Sequence, residues 1–162
     1  MFAKVDVGVE RGVASAAVDD IEAIKQLKAR YFRTMDTKDW AAYRGVFADD
    51  VVIDTSEAGG AVWEGGDHFV EQLVPILQDC VTVHQGHTAE IELTSPTTAT
   101  GIWAMEDHLQ WPNGMSLNGF GHYHDTYEKT GGRWVIKTSK LTRLRMDTNV
   151  PVEELAAAEH SA

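Results

Sequence analysis

His84 and Asp36 are the residues whose types and placing could do chemistry. His84 stands in the segment Val81-Thr82-Val83-His84-Gln85-Gly86-His87, and Asp36 ends the run Tyr31-Phe32-Arg33-Thr34-Met35-Asp36. An imidazole that faces a carboxylate moves protons. The carboxylate fixes the ring tautomer and stabilises the imidazolium that forms when the ring takes a proton. The condition is that the fold bring a helix end against a strand.

Other side chains join this pair as candidates. In Trp103-Ala104-Met105-Glu106-Asp107-His108-Leu109-Gln110-Trp111, period-2 alternation puts Asp107 on one face with Trp103, Met105, Leu109 and Trp111. An acid among four large apolar neighbours is costly to desolvate unless it is paired or protonated. It is either a pocket acid that binds a hydroxyl or exchanges a proton, or half of a structural ion pair with Arg143 or Arg145. The Tyr31 hydroxyl either donates to a substrate oxygen or stays wet while the ring packs. Trp63, Trp103 and Trp111 are core residues or the walls of a site for a flat ring compound. His122, His124 and Glu128 share one strand face, the beginnings of a metal-ligand set. The glycine spacing upstream is wrong for such a site and no second His-bearing motif follows, so no metal is expected. Cys80 is alone, which excludes an intrachain disulfide and the Cys-rich zinc patterns; it is expected to be buried and inert.

These residues need elements to carry them. Residues 1–18 show no sustained period and are expected to form a mobile arm. Asp19 or Asp20 caps a helix whose stripe runs Ile21, Ile24, Leu27, Lys28, Tyr31, Phe32 and Met35 at three- and four-residue spacing. Asp36 closes it, on the end of the helix dipole that disfavours an acid. Thr37 is read as the cap of a short second helix. Val51-Val52-Ile53-Asp54 is a strand, Ala58-Gly59-Gly60 a turn, and Val62-Trp63 a short return strand. Asp67 caps a third helix, which Pro75 kinks or ends early. Strands follow over about 81–94, 97–111, 119–129 and 133–146, with a long loop at 112–118. Short turns between them predict a meandering antiparallel sheet that curls around three helices as a half-open cone. Val152 to Ala162 is an Ala/Glu-rich helix or tail. The division is therefore 1–18 arm, 19–147 domain and 148–162 tail, of class α+β.

Composition narrows the function. A chain of 162 residues with net charge −11 and 14 Lys and Arg in all lacks the clustered cations of a nucleic-acid binder and is repelled by an anionic membrane surface. The opening Met1-Phe-Ala-Lys-Val-Asp-Val-Gly lacks the pattern of a signal peptide, and no segment reaches the ~20 apolar residues of a bilayer span. A cytoplasmic location is expected.

The segments Tyr31 to Trp40 and Phe47-Ala48-Asp49-Asp50-Val51 resemble the opening of the SnoaL-like branch of the nuclear transport factor 2-like superfamily. So do the His84 strand, Thr100-Gly101-Ile102-Trp103, and Tyr123-His124-Asp125-Thr126-Tyr127 before Gly132-Arg133-Trp134. The likeness covers about residues 19–147 and is greatest to the bile acid 7α-dehydratase, scytalone dehydratase and hexachlorocyclohexane dehydrochlorinase group. It implies the cone fold and a lyase, most similar to a dehydratase, that uses a His-Asp dyad and no cofactor. By motif position Asp36 and His84 match the dyad, Tyr31 the helix tyrosine of the bile acid enzyme, and Asp107 its strand aspartate. Arg143 and Arg145 both fit its arginine. The implied partner is a small apolar hydroxylated ring compound, in a homo-oligomer of two or three chains. A keto-enol isomerase, a polyketide cyclase and a non-catalytic binding or oligomerisation module share the fold. An open cavity with His84 touching Asp36 favours an enzyme, and a filled core favours a module.

Overall fold

The computed structural model describes residues 7–149, with side chains from residue 16 onward. Helix α1 (Val7–Asp36) carries the Ile24, Leu27, Tyr31, Phe32 and Met35 stripe, all of it buried. It begins well before Asp19, so residues 7–18 of the expected arm are helical. Val18 in that first half is exposed, which is why no apolar period announced it.

The end of α1 is built from backbone. Asp39 N–H bonds to Thr34 C=O at 2.9 Å and Lys38 N–H to Met35 C=O at 3.2 Å. This is the Schellman pattern, in which the residue after the cap turns left-handed. Lys38 takes that place with φ 61°, where glycine is the usual occupant. The chain reverses at once, and Asp39 rather than Thr37 caps α2 (Trp40–Arg44), accepting from Ala42 N–H at 3.1 Å.

Strand β1 (Phe47–Asp54) and the short β2 (Val62–Glu64) form a hairpin. Helix α3 (Gly66–Leu77) starts from Gly65 rather than from Asp67, and it runs through Pro75 to Leu77. Pro75 sits in the last turn, where only one ladder bond is lost before the helix ends. Strands β3 (Val81–Ser95), β4 (Thr98–Gln110), β5 (Ser116–Thr130) and β6 (Arg133–Thr148) complete one sheet of order β2-β1-β6-β5-β4-β3. β5 starts at Ser116, so the loop expected at 112–118 is a tight turn instead.

The four long strands form the expected antiparallel meander. β1, however, lies parallel to β6, so the sheet is mixed. β2, α3 and strands β3 to β5 separate these two strands in sequence, and a connection of that length permits a parallel pairing. Strand alternation sends Ala99, Trp103, Met105 and Asp107 of β4, and Leu117, Tyr123, Asp125 and Tyr127 of β5, inward. The α+β cone is the observed fold. The residues of the C-terminal helix or tail expected from Val152 lie outside the described residues.

Candidate active site

Asp36 and His84 meet. The carboxylate grips the histidine at two points: Oδ1 lies 2.6 Å from the ring Nδ1, and Oδ2 accepts from the His84 backbone N–H at 2.9 Å. Thr82, two residues earlier on the same face of β3, donates its hydroxyl to Oδ1 at 2.9 Å. That direction is forced. The Lys38 ammonium, which has no acceptor, donates to Thr82 Oγ1 at 2.8 Å, so the hydroxyl proton must point to Asp36. Three donors thus offset the unfavourable helix end that the acid occupies. With Nδ1–H turned to the carboxylate, Nε2 of His84 is left as the free acceptor.

Across the β3–β4 ladder, His84 is the register partner of Asp107. Asp107 is buried and holds Arg143 of β6 in a two-pronged ion pair, NH1 to Oδ1 at 3.0 Å and NH2 to Oδ2 at 2.8 Å. Such a fork is short, charge-assisted and geometrically defined. The backbone of β5 passes between the two strands, and Gly119 faces Asp107 in register. A Cβ there would collide with both Arg143 NH1 and Asp107 Oδ1, so the pair requires glycine at this position.

Tyr31 lies in an aromatic cluster, its ring 5.3 Å from that of Tyr43 and 5.7 Å from that of Tyr123. Burial pushes its hydroxyl up to about 12, although the Tyr43 and Tyr123 hydroxyls beside it pull the other way. Burial raises Tyr43 and Tyr123 as well. All three stay neutral and able to donate at ordinary pH. The Tyr43 hydroxyl is buried beside Tyr31 without a formed hydrogen bond.

These groups line one part-enclosed cavity of about 160 Å³ between the helices and the inner face of the sheet. His84, Asp107, Arg143, Tyr31, Tyr43, Tyr123 and Ser139 supply its polar character; Trp63, Trp111, Phe69, Leu73 and Leu141 supply apolar walls. Asp36 stands behind His84, outside the lining.

Two of the residues singled out from sequence are elsewhere. Trp103 is buried, donates its indole N–H to Tyr127 at 2.8 Å, and borders a separate groove with Phe32 and Gly86. The arginine ambiguity resolves by geometry: Arg145 is 70% exposed and pairs with Asp147, because a bulge between Phe120 and Gly121 changes the facing of β6. His122 and His124 lie with ring centroids 6.2 Å apart on the outer side of β5, while Glu128 turns to Lys137. Cys80 is buried and burial raises its thiol, in keeping with an inert side chain. Among the described residues, no helix is long and apolar enough to cross a membrane.

Sequence reasoning missed Thr82, Lys38, Tyr43, Tyr123 and Ser139. Thr82 and Tyr123 carried a readable signal, since alternation puts them on the faces of His84 and Asp125. The left-handed turn at Lys38 left no trace in residue type.

Comparison with known proteins bears on the family and the fold. Residues 16–140 match the model of the SnoaL-like domain family. A probable cyclase of Gibberella zeae is 26% identical over 136 residues, covering 75% of this chain and 89% of that protein. A candidate scytalone dehydratase from Novosphingobium aromaticivorans has a similar structure, with TM-score 0.76 and 19% identity over 83% of this chain and 90% of its own. So does a hexachlorocyclohexane dehydrochlorinase from Novosphingobium barchaimii, with TM-score 0.73 and 16% identity over 85% of this chain and 99% of its own. Those two likenesses speak for the fold; the family match covers most of the sequence, and the chain belongs to the SnoaL-like domain family of the nuclear transport factor 2-like superfamily.

Proposed function

We propose that the protein is a cofactor-independent lyase, a dehydratase, acting on a largely apolar hydroxylated ring compound. The observation that carries this reading is the Asp36–His84 contact of 2.6 Å beside a cavity with apolar walls. Nε2 of His84 takes the proton from a carbon next to a carbonyl, and Asp36 stabilises the imidazolium. The electron pair moves onto the carbonyl oxygen, where the neutral Tyr31 hydroxyl donates to the developing enolate. Collapse of the enolate forms the carbon–carbon double bond and breaks the bond to the β-hydroxyl. The imidazolium returns its proton to that oxygen, which leaves as water. Asp107 and Arg143 orient the substrate or the leaving oxygen, and Trp63 and Trp111 hold the ring.

A scytalone dehydratase-like and a dehydrochlorinase-like fold support elimination as the reaction class. The probable cyclase favours a second reading: the same base forms the same enolate, which closes a ring or takes its proton back on carbon. A panel of steroidal and phenolic β-hydroxy ketones, incubated with the protein in deuterium oxide, separates the two. Loss of one water with a new conjugated absorbance supports the dehydratase. Deuterium at the carbon next to the carbonyl without loss of water supports an isomerase or cyclase. An inert panel together with no binding in the cavity favours a non-catalytic module of the same fold.

A further inference from the structure

Behind the cavity lies a charged network that the elimination chemistry does not use. Lys28 of α1 and Asp125 of β5 are both wholly buried, with Nζ 2.8 Å from Oδ2. The ammonium also sits over the rings of Tyr31 and Tyr123, at 4.3 and 3.8 Å from their centroids. Asp125 accepts from the Tyr127 hydroxyl at 2.8 Å and from the Ser139 hydroxyl at 2.6 Å. Removing this much charge from water is costly, and the pair adds nothing that an apolar packing could not.

The directions of these bonds are fixed from their ends. The Trp103 indole can only donate, so Tyr127 Oη accepts from it and turns its own proton to Asp125. Lys28 can only donate as well. A carboxylate held by an ammonium is acceptor-only, so the Ser139 proton is committed to Asp125 Oδ1. Ser139 is buried and lines the cavity, and its remaining capacity there is as an acceptor. It also lies away from the base. Ser139 pairs with Asp125, whereas His84 is in register with Asp107 and through it with Gly119, six positions from Asp125 along β5.

We propose that Ser139 is a specificity-determining residue that accepts a hydrogen bond from a hydroxyl on the substrate ring, distant from the bond broken, and that Lys28 and Asp125 are positioning residues that keep its proton turned away. The assignment rests on this cavity being the substrate site. It defines the substrate as a ring compound with a second, donating hydroxyl, so that an ether or a ketone at that position is bound less well. A neutral Lys28 with a protonated Asp125 would reverse the Ser139 bond and the preference.

The test is direct binding of 2-naphthol and 2-methoxynaphthalene, measured by calorimetry on the full chain. The two differ in one donated proton. Three proteins are compared: wild type, His84→Ala, which removes one competing acceptor, and Ser139→Ala, with thermal melting of each. In wild type and His84→Ala, 2-naphthol should bind about fivefold to tenfold more tightly, the yield of one neutral hydrogen bond. In Ser139→Ala the two probes should bind alike. Equal binding in His84→Ala, a preference for the ether, an undiminished preference in Ser139→Ala, or no binding of 2-naphthol would each overturn the assignment. Should Ser139→Ala not fold, the His84→Ala comparison decides: a preference for the donor supports the role and its absence overturns it. Because the readout is binding, the acceptor role can fail while elimination stands, and elimination can fail while the acceptor role stands.

Discussion

Asp36 holds His84 by ring and backbone together, Oδ1 on Nδ1 and Oδ2 on the main-chain N–H. The two bonds fix both the tautomer and the position of the strand relative to the helix end. A histidine that merely filled space would need neither. Lys38, at the left-handed turn after α1, and Thr82 extend the same clamp.

Lys38→Gly therefore separates backbone from side chain. Glycine relieves the left-handed residue, worth up to about 1 kcal/mol, but it deletes the donor that orients Thr82. Melting temperature should hold or rise while turnover falls. Calorimetry and a kinetic assay on one preparation check this, and unchanged turnover would remove Lys38 and Thr82 from the account.

Tyr31→Phe keeps the ring in its aromatic cluster and removes only the hydroxyl. Turnover should drop by roughly 10²-fold or more, the cost of losing one donor to a developing oxyanion. The pH dependence follows from the same burial. Tyrosine ionises near 10 when unfolded and at about 12 in place at Tyr31, so the folded form holds its proton longer. The resulting stability is complete below pH 10 and is lost as pH rises from there through 12. Melting of wild type should fall steeply over that range, and less so in Tyr31→Phe. A rate profile that already declines well below pH 10 through loss of the Tyr31 proton would contradict its role as neutral donor.

Gly119→Ala pushes a methyl group into the space that Arg143 and Asp107 share. Overpacking of that kind costs about 1–3 kcal/mol. Denaturant unfolding should show the loss, and turnover of the folded fraction should fall because the ion pair is displaced from beside His84. A variant of wild-type stability and rate would mean that the pair adjusts freely.

Lys28→Met leaves the Asp125 carboxylate buried without its cation. Breaking a buried pair from one side costs about 3–5 kcal/mol. Adding Asp125→Asn removes the unpaired charge and should return part of that loss. Chemical denaturation of the single and double variants measures both steps. Equal stability of Lys28→Met and wild type would show that the pair carries no folding energy.

Much of the fold was legible because its signals are periodic. The α1 stripe, the four long strands and the cone depend on repeats of three to four and of two residues, and these are written in residue type. The inward face of β4, with Asp107 among apolar neighbours, follows from the same alternation. Lys28 stood within the α1 stripe, but its partner Asp125 on β5 was not legible there. The parallel contact of β1 with β6 left no such mark, since pairing partners distant in sequence share no period. Nor did the turn at Lys38, where a lysine occupies a glycine's conformation, or the bulge that swings Arg145 outward after Arg143 has faced in. The candidate site was legible at its dyad and illegible in its supports.

The central claim is that His84 is the base, and one paired measurement tests it most directly: turnover and thermal unfolding of His84→Ala on the same samples, beside Asp36→Asn, with the hydroxy ketone that wild type consumes. Both variants should remain folded, since neither removes much apolar surface. kcat should fall by roughly 10²–10⁴-fold in His84→Ala, the usual contribution of a positioned general base, and should also fall in Asp36→Asn. A His84→Ala protein that melts early while its folded fraction turns over at the wild-type rate would contradict the account and make His84 a core residue.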